Sequence, residues 1–283
     1  MRDVGEIETA QSLVPEWALP VVELLTVLGD VWFLLLVGAL AYWFGGRERG
    51  AYTFALVLGG LALVAATKAI FAVPRPPADL HLIATQTTSF PSGHATGTAI
   101  VYGALALTFD RVGTRRQRLV LAGVIVVVVG LTRIVLGVHY AVDVIAGVAL
   151  GVAYLVAVTR VARGDPRLAF GVGAAVAVVG TALGAFSSAT PQASCLAAGI
   201  CLDRDALAAV VGTASALAVW TVLEDARAPR ARWYSVGILA FAGLVVIPAV
   251  LAVGAFDPMA GTRALGAGVA VAAIMFVPLA IRG

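Results

Sequence analysis

Long apolar runs separated by short polar segments fill the chain from residue 31 onward. Most of these runs approach the roughly 20 residues that a helix needs to cross the hydrocarbon core of a bilayer. The pattern predicts nine spans, at about residues 31–45, 51–73, 92–109, 118–137, 140–161, 168–186, 206–223, 234–254 and 264–281. The stretch from Trp17 to Leu28 is apolar but short, and Pro20 and Glu23 interrupt it, so we expect an interfacial or half-inserted helix there.

Composition supports a membrane protein. Of the 283 residues, 61% are hydrophobic and only 12% are charged, whereas soluble domains carry about 25% charged residues. Long apolar runs favour helices over a barrel, so the expected fold is all-α: a polytopic membrane helix bundle with about nine transmembrane helices plus an N-terminal interfacial helix. The N-terminus is polar and acidic, unlike a cleaved signal peptide. A net charge of +3 is too small to suggest a nucleic-acid partner.

Basic residues are distributed unevenly between the two predicted faces. Thirteen of the 19 lie in one set of alternate loops and at the C-terminus, including Arg47, Arg160 and Arg282, and six lie on the opposite side. Cytoplasmic loops of membrane proteins carry the excess of Lys and Arg. The sequence therefore predicts a multi-pass cell-membrane protein with a cytoplasmic C-terminus.

Three ionisable residues interrupt the apolar sequence between Thr132 and Asp143. An ionisable group costs roughly 2.5–3.5 kcal/mol near a bilayer centre, so Arg133, His139 and Asp143 need a functional reason. His139 and Asp143 are four residues apart, and on a helix the carboxylate can hold the imidazole ring. We interpret this stretch as part of a site on the non-cytoplasmic face.

Two further polar stretches are predicted at the same face. Lys68 and Arg75 supply cations near prolines that stiffen the backbone, which suits an anion such as phosphate. Snorkelling of basic side chains at a membrane surface is the alternative. Ser92 is a good N-cap, Gly93 permits close approach to the backbone, and the free N–H groups of a helix start bind anions. An ordinary capped helix bearing a surface histidine, His94, is the alternative there.

Taken together, these residues indicate metal-free phosphoryl transfer through a histidine nucleophile. His139 would attack phosphorus, Asp143 would orient it, and His94 would protonate the leaving oxygen and then activate water. The expected phosphate-binding residues are Lys68, Arg75, Ser92, Gly93 and Arg133. No carboxylate pair or metal-ligand cluster accompanies them, so we expect neither a metal nor a cofactor. Asp30, at a turn on the same side, could approach the pocket.

The motifs resemble those of a known family. The pattern K-x6-R-P, then P-S-G-H, then S-R-x5-H-x3-D is typical of the type 2 phosphatidic acid phosphatases, and is shared with bacterial acid phosphatases, glucose-6-phosphatases and vanadium haloperoxidases. Here the motifs read Lys68…Arg75-Pro76, Pro91-Ser92-Gly93-His94 and Thr132-Arg133…His139…Asp143. The resemblance covers about Trp17 to Val161. Thr132 replaces the usual serine, and Pro77 stands where many members have a second arginine.

The resemblance implies an integral membrane phosphatase that hydrolyses phosphate monoesters or diphosphates of lipids through a phosphohistidine. Phosphatidic acid, phosphatidylglycerophosphate and polyprenyl diphosphate are the expected substrate types, and the bilayer presents them to the site. One alternative is a lipid phosphotransferase with the same intermediate. Another is a non-enzymatic protein that binds or transports phospholipids, in which the basic pocket only holds a phosphate group.

The chain is expected to divide into residues 1–162, a phosphatase core that carries the three motifs, and residues 163–283, a four-helix membrane region of unknown role. This second region could support the core, line a lipid entry path or form a partner surface. Its two cysteines, Cys195 and Cys201, lie in one loop and could form a disulfide or remain thiols. Gly147 and Gly151 form a small-xxx-small pattern that predicts close helix packing.

Overall fold

The computed structural model describes residues 3–186, 190–191, 193–195, 200–225 and 257–282. Across these ranges the chain forms α1 (Val4–Ser12), α2 (Leu19–Thr26), α3 (Val31–Phe44), α4 (Arg47–Phe71), α5 (Gly93–Thr108), α6 (Arg115–Val135), α7 (Ala141–Ala162), α8 (Pro166–Gly184), α9 (Arg204–Asp225) and α10 (Pro258–Arg282). Short 3-10 helices occur at Glu16–Ala18, Val27–Gly29 and Ala78–Leu80. An antiparallel hairpin joins β1 (Ala193–Cys195) to β2 (Cys201–Asp203).

The helical membrane bundle is confirmed, but the predicted count of nine spans is not. Within the described ranges, six helices are long and apolar enough to cross a membrane: α4, α6, α7, α8, α9 and α10. At 14 and 16 residues, α3 and α5 are shorter than a full span, because 1.5 Å per residue gives them only about 21 and 24 Å. The predicted span at 234–254 lies outside the described residues.

The N-terminal segment differs from its prediction, since α1 precedes the expected interfacial helix. Asp3 caps α1 by accepting a hydrogen bond from the Gly5 amide at 2.9 Å. The following segment, Glu16–Gly29, is bent by 94° from α1. Trp17 is 80% exposed, as expected of an aromatic side chain at a membrane interface. Polar residues within α1 leave no apolar run, which is why the hydrophobic pattern did not indicate it.

Helix α4 lies at the centre of the bundle and packs closely against α8 through small residues. A Cβ atom added to Gly59 would lie 2.9 Å from the Cα atom of Gly173. Further along, one added to Gly180 would lie 2.1 Å from the Cβ atom of Ala66. Such contacts let helix backbones approach closely, which drives association where lipid is as apolar as the side chains.

The predicted packing role of the two glycines in α7 is confirmed. A Cβ atom on Gly147 would lie 2.7 Å from the Ser92 carbonyl oxygen, and one on Gly151 would lie 2.8 Å from the Thr96 carbonyl oxygen. Helices α5 and α7 therefore cross backbone to backbone near their N-termini. This crossing brings the second and third motifs together.

The C-terminal helices pack onto the same bundle. Trp220 of α9 is buried against Phe170 of α8, with ring centroids 6.2 Å apart. Two side chains of α3 reach α10: Tyr42 donates its hydroxyl hydrogen to the Met275 carbonyl at 3.2 Å, and Trp43 Nε1 donates to the Ile274 carbonyl at 2.8 Å. Of the two states left open for the cysteines, the structure has the Cys195–Cys201 disulfide, which closes the β1–β2 hairpin.

Candidate active site

The three motifs meet where several helices end. Lys68 lies in the last turn of α4 and Arg133 in the last turn of α6, while Asp143 lies in the first turn of α7. The other predicted site residues are Arg75 in the loop after α4, Ser92 as the N-cap of α5, Gly93 and His94 in its first turn, and His139 between α6 and α7. The helix ends place their polar groups at one face of the bundle and leave the apolar helix bodies to the membrane.

Gly137 shapes the turn that presents His139. Its φ of +73° lies in the left-handed region, which glycine adopts without steric cost. A Cβ atom at this position would lie 1.9 Å from the Leu80 carbonyl oxygen. The turn is also bonded to the preceding loop, because the Leu82 amide donates to the Leu136 carbonyl at 3.1 Å. His139 therefore sits on a fixed backbone and is 1% exposed.

The Nδ1 side of His139 faces a carboxylate and a hydroxyl. His139 Nδ1 lies 3.6 Å from Asp143 Oδ2, too far for a good hydrogen bond. Ser89 lies beside both groups: its hydroxyl oxygen is 3.3 Å from Nδ1, and it donates to Asp143 Oδ2 at 2.6 Å. The carboxylate also accepts the Tyr140 amide at 3.2 Å. Ser89, a residue that the motifs did not indicate, therefore connects Asp143 to the imidazole of His139.

The opposite ring nitrogen of His139 faces Arg75. Arg75 Nη1 lies 3.2 Å from His139 Nε2 and donates to the Val138 carbonyl at 2.7 Å. Thr87 holds the rest of the guanidinium through its carbonyl and hydroxyl oxygens, at 2.7 and 2.8 Å. A guanidinium can only donate, so this contact requires a lone pair on Nε2. We therefore assign the proton of neutral His139 to Nδ1.

Charge and burial agree with this assignment. Burial lowers the pKa of His139 well below its ordinary value of 6.5. The neighbouring cations lower this pKa further, whereas Asp143 raises it. Burial also lowers the pKa of Arg75 to about 10, so the guanidinium stays charged at neutral pH. At neutral pH the imidazole of His139 is therefore neutral, and the guanidinium of Arg75 beside it is positively charged.

Two further cations approach from α4 and α6. Lys68 Nζ donates to the Thr88 carbonyl, and Arg133 Nη1 donates to the Thr26 hydroxyl at 2.7 Å. Arg133 is 4% exposed, and among the described residues its Nε atom has no hydrogen-bond partner. A buried, unpaired donor is costly, and Arg133 is not among the residues that line the cavity next to Lys68 and Arg75. At Gly93, a Cβ atom would lie 3.3 Å from Lys68 Cε, so glycine lets the lysine lie against the start of α5.

A second histidine–carboxylate pair completes the polar region. His94 Nε2 lies 2.9 Å from Asp30 Oδ1, and Asp30 precedes α3. Gly29 allows this contact, because a Cβ atom there would lie 2.9 Å from His94 Cδ2. The hydrogen bond with His94 lowers the pKa of Asp30, so this carboxyl group stays ionised. The expectation that Asp30 approaches the pocket is correct.

These groups open onto one cavity of about 560 Å³, a size typical of ligand pockets. Its polar end is lined by His139, Arg75, Lys68, His94 and Asp30. Beyond this end, apolar side chains of α3, α4, α9 and α10 form most of the wall. Ser92 instead serves the scaffold: its amide donates to the Asp143 carbonyl at 2.9 Å, and its side chain caps α5.

The comparisons with known proteins point to one family. Residues 49–166 match the model of the PAP2 superfamily. This part of the chain is therefore similar to the PAP2 superfamily. Over 75 residues the chain is 37% identical to phosphatidylglycerophosphatase B of Bacillus subtilis (strain 168), an alignment that covers 25% of this chain and 37% of that protein. The matched part therefore spans only about a third of that relative's length.

One solved structure also aligns with part of the chain. The transmembrane PAP2 type phosphatidylglycerolphosphate phosphatase from Bacillus subtilis aligns with a TM-score of 0.49 at 27% identity, covering 56% of this chain and 84% of that one. The family resemblance expected from the motifs is confirmed by the domain match, which contains every predicted site residue from Lys68 to Asp143. Asp30 and Thr26 lie before the matched residues, and α9 and α10 lie after them.

Proposed function

We propose that this protein is an integral membrane lipid phosphatase that works through a phosphohistidine intermediate. The observation that carries the proposal is the environment of His139: its Nε2 lone pair faces Arg75 in the cavity, while its Nδ1 faces Ser89 and Asp143. A nucleophile needs an available lone pair and a partner that stabilises the charge it acquires. Both are present on opposite sides of one buried ring.

In the first step, His139 Nε2 attacks phosphorus and the bond from phosphorus to the lipid oxygen breaks. His94 gives its proton to that departing oxygen, so the lipid leaves as a neutral alcohol or as a shorter phosphate. The ring becomes a cation bearing Nε2–P and Nδ1–H, and Asp143 with Ser89 stabilises this charge. Burial lowers the pKa of His94, and the hydrogen bond with Asp30 opposes this shift and so favours the protonated form that this step consumes.

In the second step, water attacks the phosphohistidine while His94 accepts its proton, which releases phosphate and restores neutral His139. Lys68, Arg75 and Arg133 hold the phosphoryl oxygens through both steps. These three side chains supply the positive charge that phosphoryl transfer needs, so the proposal includes independence from added metal. Assays with and without a chelator test that part directly, and a requirement for added metal would contradict it.

The site is proposed to face the non-cytoplasmic side. The distribution of arginines supports this orientation, as does the disulfide-closed hairpin, because disulfides persist in oxidising compartments. Asp203 of β2 lines the same cavity as His139, so hairpin and site share one face. The C-terminus is then cytoplasmic. Labelling intact cells with a membrane-impermeant thiol reagent, at a cysteine placed at exposed Arg111 or at exposed Asp79, distinguishes the two faces.

The proposed substrates are lipid phosphates. The name of the relative that is 37% identical favours phosphatidylglycerophosphate, and phosphatidic acid and polyprenyl diphosphate remain candidates on the basis of the motifs. Purified protein should release phosphate from at least one of the three, and His139→Ala should reduce release by about 10³-fold or more. His81→Ala is the matched control, because His81 does not line the cavity. Unchanged release by His139→Ala would refute the mechanism.

The intermediate can be trapped by separating the two steps. With p-nitrophenyl phosphate, the leaving group needs little protonation, so His94→Ala should still become phosphorylated while its hydrolysis slows. When the phosphate of this substrate carries a label, labelled His94→Ala protein should accumulate. Its label should be held by the acid-labile, alkali-stable bond of a phosphohistidine. Transfer of label to an added alcohol instead of water would indicate a phosphotransferase. Absence of any release by the unmodified protein would indicate a binding or transport protein.

A further inference from the structure

We propose that α9 and α10, which lie outside the residues that match the PAP2 superfamily, form one wall of the substrate site. On this proposal the hydrocarbon chain of the lipid phosphate lies between these helices and α4. The proposal rests on the proposed function and adds to it the position of the substrate's apolar part. It also gives a role to the C-terminal region, for which the sequence left support, lipid entry and partner binding open.

The first argument is continuity. The cavity that contains His139 and Arg75 is the same one that extends between α4 and the C-terminal helices. Helix α9 contributes Ala208, Ala209, Gly212 and Thr213, and α10 contributes Ala267, Ala270, Val271 and Ile274. The catalytic groups and these residues therefore share one volume of about 560 Å³. A lipid whose phosphate meets His139 has open space leading to α9 and α10.

The second argument is the order of polarity along the cavity. Its lining on α4 runs from Leu58 to Lys68, which at 1.5 Å per residue is about 15 Å. The lining of α10 runs over a similar length, from Arg263 to Ile274. On both helices the charged residue lies toward the catalytic end and the aliphatic residue lies deepest. A lipid phosphate has the same order, with charge at its head and hydrocarbon below.

The third argument is the size of the side chains in the wall. Five of the ten residues that line the cavity on α9 and α10 are alanine or glycine, so the helices leave space there. Hydrogen bonds from Tyr42 and Trp43 to the backbone of α10 hold that helix against α3. Arg47 similarly bonds the Leu223 carbonyl of α9 at 2.9 Å. Both helices are thus fixed at their deep ends, which keeps the cavity from closing.

The physical effect of this wall is selection by shape. A lipid tail is already in an apolar environment when it lies in the bilayer, so moving it into the cavity gains little from the hydrophobic effect. What changes is the fit of the tail against Leu58, Ile274 and their neighbours. Filling the space should therefore exclude the tail while leaving the phosphate site intact.

The test uses one substitution at two positions on α10. Ala267 lines the cavity, whereas Ala273 is exposed and does not. With phosphatidic acid in detergent micelles, Ala267→Trp should lower kcat/KM by about tenfold or more, as expected for overfilling a packed space. With p-nitrophenyl phosphate, which has no tail, Ala267→Trp should stay within about twofold of the unmodified protein. Ala273→Trp should resemble the unmodified protein on both substrates.

Unchanged phosphatidic acid hydrolysis by folded Ala267→Trp protein would overturn the inference. Failure of the unmodified protein to hydrolyse either substrate would instead count against the proposed function, so the two failures are distinguishable. Should Ala267→Trp not fold, photo-crosslinking gives an independent answer. His139→Ala protein with a phosphatidic acid carrying a diazirine in its acyl chain should give labelled peptides from α9 and α10, and excess unlabelled phosphatidic acid should suppress them. Suppressible labelling confined to α6 and α7 would overturn the inference.

Discussion

Ser89, which lies between His139 and Asp143, provides a sharp test of the proposed mechanism. Ser89 is fully buried, its hydroxyl donates to Asp143 at 2.6 Å, and its oxygen lies 3.3 Å from His139 Nδ1. A hydrogen bond to a charged group contributes about 1.5–3 kcal/mol. Asp143 still accepts the hydrogen bond from the Tyr140 amide in Ser89→Ala. We therefore expect the loss of stabilisation in this variant to be near the lower end of that range. About 1.4 kcal/mol in the transition state corresponds to a tenfold lower kcat.

The assay is steady-state phosphate release from phosphatidic acid in micelles. We expect kcat to fall about tenfold with KM nearly unchanged, since Ser89 acts on His139 and does not line the cavity. Ser12→Ala is the control, because Ser12 is exposed and bonds only its own helix. In an Asp143→Asn background, Ser89→Ala should cost less than it does alone, because the two groups act as a unit. A kcat within twofold of the unmodified protein, or fully additive losses, would refute this account.

Three further predictions follow from the geometry around the two histidines. Asp30→Asn removes the charge that favours protonated His94, and should lower kcat about tenfold or more on phosphatidic acid but little on p-nitrophenyl phosphate; equal losses on both would argue against an acid role. Gly137→Ala puts a methyl group 1.9 Å from a backbone oxygen at positive φ, and should destabilise the protein by about 3 kcal/mol or more, seen as a lower Tm. Burial lowers the pKa of His139 below 6.5, so its imidazole stays neutral at mildly acidic pH. The acidic limb of the plot of kcat/KM against pH should therefore have its midpoint below pH 6.5. A midpoint above pH 6.5 would contradict the assigned charge state of His139.

Much of the bundle could be predicted because most of its helices correspond to continuous apolar runs in the sequence. Helices α4, α6, α7, α8, α9 and α10 lie close to predicted spans. The short helices were harder to judge, since α3 and α5 are apolar but end before a full membrane thickness. The β1–β2 hairpin was not predicted because each strand has only three residues, too few for a periodic pattern. Sequence alone could not decide between thiols and the disulfide either.

The candidate site divides in the same way. Lys68, His94 and His139 could be identified because each belongs to a motif whose internal spacing carries information. Ser89 could not be identified, because its proposed role depends on contacts with His139 and Asp143, which are 50 and 54 positions away in the sequence. The same holds for Thr26, which bonds Arg133 across 107 residues. A hydroxyl in a loop has no sequence signature until the fold brings a partner to it.

The close crossing of α4 and α8 has a consequence for how the protein is made. Lys68 lies on α4, near the start of the chain, but α4 is enclosed by α8 and α9, which are synthesised much later. Until α8 has been synthesised, the part of α4 that packs against Gly173 and Gly180 lacks this protein neighbour. Domains generally fold N-terminal first during synthesis, but here α4 can complete its packing only after α8 and α9 have been synthesised. The cavity next to the candidate site should therefore be complete only near the end of translation, because α9 and α10 supply part of its wall.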